Sequence, residues 1–250
     1  MAAPTAAGNK PKSILIINPN TTQAMTDALR PLIDSLNIKD TTFQYFTAPK
    51  GVPSINNAAD AALSAQECLD PLKWEYGKHD AYLICCYSAH PLVEQTRTEQ
   101  VTYAARRRRT TVPPVAGIFE ASLVEALKSA PKFGIVSTGA QWEGLMNQAV
   151  FAELGEDVAM ERYEGTETTG FDANELHVAP AEVVNASMKE ATKRLLKRGV
   201  GAICLGCAGM VGLESVVQEA CIEALGETEG RKIKIINGVV SGIRLLRGEL

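Results

Sequence analysis

The chain alternates short apolar segments with longer amphipathic ones along almost its whole length. Apolar segments of about five residues, bounded by polar turns, are typical of strands that are buried on both faces of a parallel sheet. On this pattern, strands are predicted at residues 13–17, 42–46, 81–85, 114–118, 132–136, 158–163, 201–205 and 232–236.

The longer segments repeat their apolar positions every three or four residues, as one face of a helix does. Helices are predicted at residues 22–36, 58–74, 91–105, 121–129, 141–154, 174–197, 213–225 and 239–246. Strands that alternate with helices form parallel sheets covered by helices, so the predicted fold class is α/β.

Three features of the first half of the chain recur in the second half at nearly one spacing. Asn18, at the end of the first predicted strand, is matched by Thr138, 120 residues later, and Cys86 is matched by Cys207, 121 residues later. The strand-to-helix stretch around Val115 recurs 120 residues later. We therefore predict two pseudosymmetric α/β lobes, each with a parallel four-stranded sheet, and an active-site cleft between them. Ligands of such sheets bind at the carboxyl ends of strands, where the matched residues lie.

Composition and charge exclude several classes of protein. The 250 residues are 46% hydrophobic and carry 25 basic and 29 acidic side chains, for a net charge of −4. The chain can therefore bury an ordinary core, whereas nucleic acid, which binds cationic surfaces, is not an expected partner. The basic run 106–109 follows a predicted helix, whose dipole favours cations at that end; a contact with an anion or a subunit is the alternative. No apolar run is long enough to span a membrane.

The six cysteines indicate free thiols rather than a disulfide framework. Residues 1–12 lack the apolar segment of a secretory signal and are predicted to form a disordered tail. Free thiols are typical of reducing compartments, where disulfides are rare, so a cytoplasmic location is expected.

Cys86 and Cys207 stand at equivalent strand ends, each followed by a turn and a helix. The partial positive charge of a helix N-terminus lowers the pKa of a nearby thiol and makes it more reactive. A thiolate and a thiol on opposite sides of one carbon can invert its configuration, because one removes a proton and the other delivers a proton to the opposite face. This chemistry requires no metal and no organic cofactor, and none is predicted. The alternative is that both thiols are buried packing, as expected for Cys85 and Cys204.

Two further patterns involve these cysteines. Cys204 and Cys207 have the C-x-x-C spacing of zinc sites and redox pairs, but no second ligand pair accompanies them and Cys204 lies inside a predicted strand. His90, four residues after Cys86, allows a Cys-His hydrolase or amidase of a small cyclic amide; alternatively, it tunes Cys86 or binds substrate. A non-catalytic small-molecule sensor on the same scaffold is also compatible with the sequence.

The loop at residues 47–56 is rich in proline, glycine and serine and follows the second predicted strand. Ser54 in this loop can cap the next helix or form part of the cleft wall. Its place at the carboxyl end of a strand makes it a candidate substrate-binding residue.

Several motifs resemble those of the aspartate/glutamate/hydantoin racemase superfamily. They are INPNTT at residues 17–22, PKGVPSI at 49–55, GIFEA at 117–121 and LGCAGM at 205–210. The motifs are most similar to those of hydantoin and allantoin racemases, and CCYSAHPLV at 85–93 resembles a fungal, Dcg1-like subgroup.

The resemblance implies a cofactor-independent racemase of hydantoin-type ureide rings, such as allantoin or a 5-substituted hydantoin, with Cys86 and Cys207 as acid and base. It also implies a homo-oligomer with a small-molecule substrate, and lobes formed by residues 1–110 plus 215–250 and by residues 111–214. The candidate substrate-binding residues are Asn18, Ser54, Ser88, His90, Ser137, Thr138, Ala208 and Gly209. Hydantoin racemases typically follow the first cysteine with a Phe-Gly-Asp-Pro-Gly-like run, whereas this chain has Tyr-Ser-Ala-His-Pro. That departure keeps the thiol pair and leaves the identity of the substrate open.

Overall fold

Two parallel sheets of four strands form the centre of the protein in the computed structural model, which describes residues 10–250. The strands are β1 (Lys12–Asn18), β2 (Thr41–Thr47), β3 (Ala81–Ile84), β4 (Val115–Gly117), β5 (Phe133–Ser137), β6 (Tyr163–Thr168), β7 (Ala202–Leu205) and β8 (Lys234–Asn237). The first sheet has the order β2-β1-β3-β4 and the second the order β6-β5-β7-β8, so both halves share one topology. The predicted α/β fold with two four-stranded parallel sheets is confirmed.

Helices cover both faces of each sheet. They are α1 (Gln23–Ser35), α2 (Ala58–Leu72), α3 (Pro91–Arg106), α4 (Ile118–Ser129), α5 (Gln141–Leu154), α6 (Glu156–Arg162), α7 (Ala181–Leu196), α8 (Glu214–Leu225), α9 (Glu227–Gly230) and α10 (Gly238–Glu249). Short 3-10 turns occupy Glu175–His177 and Ala208–Met210. Among the helices of residues 10–250, none combines the length and the apolar character needed to cross a membrane.

Helices α4 and α10 exchange places between the two sheets. Helix α4 starts directly after β4 of the first sheet but packs against β7 and β8 of the second, and α10 starts directly after β8 but packs against β3 and β4. The two helices also pack against each other. Phe119 and Leu123 of α4 and Ile243 of α10 are fully buried in a core that contains residues of both sheets. This shared core holds the two sheets together.

The central strands bury side chains on both faces. In β1, Ile14 and Ile16 face the shared core, whereas Leu15 and Ile17 face a second core formed with α2 and α3. In β7, Cys204 faces the shared core and its neighbours face a third core formed with α7 and α8. The almost continuous apolar character of the strands follows from this double burial.

The basic run at residues 106–109 forms the end of α3. The guanidinium groups of Arg107 and Arg109 lie 5.7 Å and 5.5 Å from the centre of the Tyr103 ring. Arg109 also donates a hydrogen bond to the Gly77 carbonyl oxygen at 3.1 Å. These local contacts account for two of the four arginines within their own lobe.

The strand predicted at residues 158–163 is wrong. Residues Glu156–Arg162 form α6, and β6 follows it. Val158 and Met160 alternate as strand residues do, but both are exposed, so their apolar character does not report a buried strand.

Two other predicted elements begin at different residues. The helix predicted at residues 174–197 is a 3-10 turn followed by α7, because Pro180, which has no N–H to donate, stands directly before α7. Of the predicted tail at residues 1–12, the first nine residues lie outside the described part of the chain. Lys12 is already the first residue of β1 and is paired with Thr41.

Strand pairing differs from the predicted lobe boundaries at two strands. Strand β4 lies in the first sheet and β8 in the second, whereas residues 111–214 were assigned to the second lobe and 215–250 to the first. Helices α4 and α10 pack on the sheets to which those boundaries assign them. The chain therefore crosses between the sheets at the two strand-to-helix junctions, and the boundaries as a whole stay a prediction.

The helix exchange can be tested at Gly238, the first residue of α10. A Cβ added there would lie 2.7 Å from the Ile118 carbonyl oxygen, where α10 meets α4. Gly238→Ala should therefore lower the free energy of unfolding by about 1–3 kcal/mol, the usual cost of overpacking. Gly248→Ala, on the same helix with nothing within 4 Å, should be neutral or slightly stabilising. Urea unfolding followed by circular dichroism measures both, and equal stabilities would contradict close packing at this junction.

Candidate active site

A cavity lies between the carboxyl ends of the two sheets and has walls from both lobes. On one side are the ends of β1 and β3, on the other the 3-10 turn after β7, and α1 packs against this turn. The lining residues are Asn18, Asn20, Met25, Ala28, Leu29, Ser54, Ile55, Cys85, Cys86, Tyr87, Ala173, Cys207, Ala208 and Gly209.

The cavity brings together the two cysteines singled out by the internal repeat. Cys86 lies two residues after β3 and Cys207 two residues after β7. Because β3 and β7 hold equivalent positions in their sheets, the two thiols reach the cavity from opposite lobes. They are near enough for charge on Cys207 to add to burial in raising the pKa of Cys86.

Backbone donors surround the sulfur of Cys207. The Gly209 N–H donates a hydrogen bond to Cys207 Sγ at 3.2 Å, because the chain turns into a 3-10 turn directly after the cysteine. Burial raises the pKa of Cys207 to about 11, and the N–H groups of Gly209 and Met210 oppose this rise. An N–H aimed at sulfur stabilises the thiolate more than the thiol.

Cys86 has a different set of neighbours. Its sulfur lies 3.4 Å from the Ser88 hydroxyl oxygen, and burial raises its pKa to about 12. The Ser88 hydroxyl opposes the rise, whereas Cys207 and Glu120 add to it. At both cysteines, the rise in pKa caused by burial is thus larger than the lowering expected for a thiol before a helix.

Tyr87 attaches the Cys86 loop to helix α4. Its hydroxyl oxygen lies 2.7 Å from the Ser122 hydroxyl oxygen, and its ring meets the Phe119 ring edge-on with centroids 5.6 Å apart. The thiol of Cys204 points to the Ser122 carbonyl oxygen at 3.9 Å. Helix α4 therefore connects the loop that carries Cys86 with the strand that leads to Cys207.

Asn18 shapes the loop after β1. Its side-chain nitrogen lies within hydrogen-bond distance of Asn20 Oδ1 and Thr26 Oγ1, at 3.0 Å each, and of the Thr22 carbonyl oxygen at 3.2 Å. The amide group of Asn18 is thus engaged inside the protein although the residue lines the cavity. Asn20 also lines the cavity and is not among the sequence candidates; its place two residues beyond a strand end, within INPNTT, is the signal that points to it.

Ser54 lines the cavity, and its capping alternative is wrong. The cap of α2 is Asn57, whose side chain accepts a hydrogen bond from the Asp60 N–H at 2.9 Å. Ser54 instead donates to Asn56 Oδ1 at 3.1 Å. A direct contact between Ser54 and substrate stays a prediction.

Ser137 and Thr138 do not line the cavity. The Ser137 hydroxyl donates to the Gly206 carbonyl oxygen at 3.2 Å, directly before Cys207. The Thr138 carbonyl oxygen accepts from the backbone N–H groups of Thr169 and Gly170. Both residues are buried, and they act here on the strand ends beside Cys207, so a contact with substrate stays a prediction.

His90 caps helix α3. Its Nδ1 accepts a hydrogen bond from the Leu92 N–H at 3.2 Å, which leaves the ring proton on Nε2, a buried atom with no partner among residues 10–250. Burial lowers the pKa of His90 to about 4, so the ring is neutral at pH 7. The described residues show no hydrogen bond between His90 and Cys86, and the Cys-His pair of a nucleophilic hydrolase is therefore not assembled.

The cavity has no charged wall. Among residues 10–250, no lysine, arginine, aspartate or glutamate lines it, and its polar groups are amides, hydroxyls, thiols and backbone. A charged ligand loses hydration on entering such a cavity and finds no counter-charge, at a cost of several kcal/mol. The cavity therefore suits a neutral polar molecule. In the same part of the chain no three His, Cys, Asp or Glu side chains are grouped to hold a metal.

Comparisons with known proteins match the sequence of this chain to one family and to several of its members. A family profile described as Asp/Glu/Hydantoin racemase matches residues 14–246. Protein DCG1 of Saccharomyces cerevisiae is 25% identical over 212 residues, which cover 81% of this chain and 84% of that protein. A hydantoin racemase of Pseudomonas sp. (strain NS671) is 27% identical over 233 residues, covering 92% of this chain and 83% of the relative.

The fold is also that of a solved racemase. An allantoin racemase from Klebsiella pneumoniae superposes with a TM-score of 0.74 at 22% identity, over 95% of this chain and 86% of the other. The family resemblance inferred from the motifs, including the Dcg1-like subgroup, is confirmed.

The different surroundings of the two thiols should be visible in their reaction with iodoacetamide. Only the thiolate reacts, and a pKa of about 11 at Cys207 against about 12 at Cys86 favours the Cys207 thiolate. At pH 9, one unit of pKa makes the Cys207 thiolate about ten times more abundant than the Cys86 thiolate. The more basic Cys86 thiolate is the better nucleophile, which reduces the advantage of Cys207 in alkylation rate to about threefold. Peptide mass spectrometry measures both rates, with buried Cys68, outside the cavity, as the unreactive control. Faster alkylation of Cys86 would contradict the assignment.

Proposed function

The chain belongs to the aspartate/glutamate/hydantoin racemase family, and on this premise we propose that it inverts the stereocentre of a hydantoin-type ureide ring, such as allantoin or a 5-substituted hydantoin. The uncharged cavity is the observation that carries the choice of substrate. Free amino acids and dicarboxylates bring charges that need counter-charges, whereas a ureide ring is neutral and offers N–H and C=O groups to amides and hydroxyls. The names of the hydantoin and allantoin racemases among its relatives and structural neighbours support the same class.

In the proposed reaction the two cysteines act from opposite faces of the ring. The Cys207 thiolate removes the proton from the stereocentre, and the electron pair moves onto the adjacent carbonyl oxygen as an enolate. The Cys86 thiol then delivers its proton to the other face, which leaves Cys207 protonated and Cys86 as the thiolate. Exchange of protons with solvent, or reaction of the opposite enantiomer, restores the first form.

Burial of the thiols favours this chemistry in one respect and opposes it in another. A thiolate whose conjugate acid has a pKa of about 11 is a stronger base toward a carbon acid than an ordinary cysteine. Raising the pKa also makes the thiolate rarer at pH 7, and the Gly209 N–H opposes that loss. Backbone N–H groups after each cysteine are the proposed donors to the enolate oxygen.

Racemisation can be measured directly with an optically pure substrate. Enantiopure allantoin and a set of 5-substituted hydantoins should lose their circular dichroism in the presence of the protein faster than in buffer. Cys86→Ser and Cys207→Ser should each slow this loss at least about a hundredfold, since each removes one proton-transfer group. Cys68→Ser, at a buried thiol outside the cavity, should leave the rate unchanged.

Two outcomes would contradict the proposal. An unchanged optical signal across the whole panel would exclude this substrate class. Ring-opened products in the mass spectrum, formed equally well by Cys207→Ser, would indicate a hydrolase.

Exchange with deuterated water provides a separate measurement. The stereocentre of the substrate should gain deuterium with the native protein, and this exchange should be lost in both cysteine variants.

A further inference from the structure

A buried carboxyl group stands beside Cys86 and has no equivalent beside Cys207. Glu120 is the third residue of α4, and its Oε2 atom is buried without a hydrogen-bond partner within residues 10–250. The residue 120 positions later, the third of α10, is Val240. The pseudosymmetry of the two lobes is therefore broken here by a single ionisable group.

Sheet register determines where this carboxyl group lies. Ile84 of β3 is paired with Gly117 of β4, so Cys86 and Glu120 leave neighbouring strands at the same edge of the first sheet. The Glu120 side chain folds back over Gly117, where an added Cβ would collide with its Oε2 and with Val93 of α3. The buried Oε2 end of the carboxyl group thus lies over Gly117, and Glu120 does not line the cavity.

Three ionisable groups on other elements interact electrostatically with Glu120. They are Arg97 on α3, Glu153 on α5 and the Cys86 thiol after β3. Burial raises the pKa of Glu120 to about 7, and Glu153 adds to this rise, while Arg97 opposes it. After burial, Glu120 is one of the groups that raise the pKa of Cys86, and it is absent from those that act on Cys207.

We propose that ionised Glu120 directs deprotonation to Cys207. Its negative charge keeps the proton on Cys86, so that in the free enzyme Cys207 releases its proton to solvent and becomes the base. Glu120 is a positioning residue: it touches neither substrate nor solvent in the cavity and acts through Cys86. The assignment of base and acid rests on the proposed racemase function, whereas the ionisation of the thiols does not.

The test measures alkylation of each thiol between pH 5 and pH 10, with tandem mass spectrometry to separate Cys86 from its neighbour Cys85. In Glu120→Gln, Cys86 should be alkylated about two to three times faster than in the native protein at pH 9, because loss of the carboxylate makes the Cys86 thiolate more abundant and only slightly less nucleophilic. Below pH 6 the two proteins should react alike, because native Glu120 is then protonated. Cys207 should change less than twofold.

Two further variants separate charge from structure. Glu94→Gln removes an exposed carboxylate that also contacts Arg97 and should leave both rates unchanged. Arg97→Gln removes a cation that lowers the pKa of Glu120, so Glu120 should ionise at a higher pH in this variant. The pH at which Glu120 begins to slow the alkylation of Cys86 should therefore rise. Repeating Glu120→Gln in a Cys207→Ser background removes the mutual effect of the thiols and should retain the increase at Cys86.

The outcomes are distinct. An unchanged Cys86 rate in Glu120→Gln at pH 9, or an equal increase at Cys207 that indicates general loosening, would overturn the proposal. Thermal unfolding at pH 8 should find this variant at least as stable as the native protein, since it removes a buried charge. Where the variant does not fold, the pH shift in Arg97→Gln decides the question. Alkylation requires no turnover, so a failure of the racemase assay leaves this result unaffected.

Discussion

The core shared by the two sheets is the constraint on which the site depends. Because α4 and α10 each leave one sheet and pack on the other, neither lobe buries its inner face without its neighbour. The same exchange positions the thiols: the residue after Cys86 bonds to α4, and α4 packs on the strand that leads to Cys207. The relative position of the two sulfurs is therefore a property of the whole core and not of the two loops that carry them.

Burial of the two thiols has two opposing effects on the proposed chemistry. A cavity that excludes water protects a carbanion and strengthens hydrogen bonds to it, but the same exclusion disfavours a thiolate. At Cys207, the geometry of the backbone offsets part of this unfavourable effect on the thiolate. The tight 3-10 turn after Cys207 aims the Gly209 N–H at its sulfur, which stabilises negative charge without introducing a cation that would alter the neutral cavity.

The sequence was sufficient for features that depend on periodicity and failed where a local environment decides. The 120-residue repeat placed Cys86 and Cys207 at equivalent strand ends, because a repeated topology carries equivalent residues to equivalent places. Exposed apolar residues gave a false strand at Val158, since a pattern of side chains does not report burial. The cavity also includes Met25 and Tyr87, which no spacing distinguishes from ordinary helix and loop residues.

The same limit applies to the candidate site residues. His90 is near Cys86 in sequence, but the start of α3 uses its Nδ1 as a cap, so its proximity along the chain does not become a catalytic pair. Ser137 is the last residue of β5, the strand equivalent to β1, yet its hydroxyl donates to the Gly206 carbonyl oxygen and acts on the backbone before Cys207. Hydrogen-bond partners from distant segments determine such roles, and a single sequence does not show them.

The two lobes are alike in backbone and unlike in the surroundings of their thiols, and the proposed inversion of a stereocentre uses both properties. In the proposed reaction, two thiols at equivalent strand ends approach one carbon from opposite faces, whereas identical surroundings would give them equal affinity for the single proton that they share. The neighbours differ: a hydroxyl beside Cys86 and an N–H beside Cys207, and Glu120 in one lobe where the other has Val240. In this proposal the Glu120 carboxylate biases the position of the proton while the cavity wall stays uncharged, so that the bias neither repels nor attracts the proposed neutral ring.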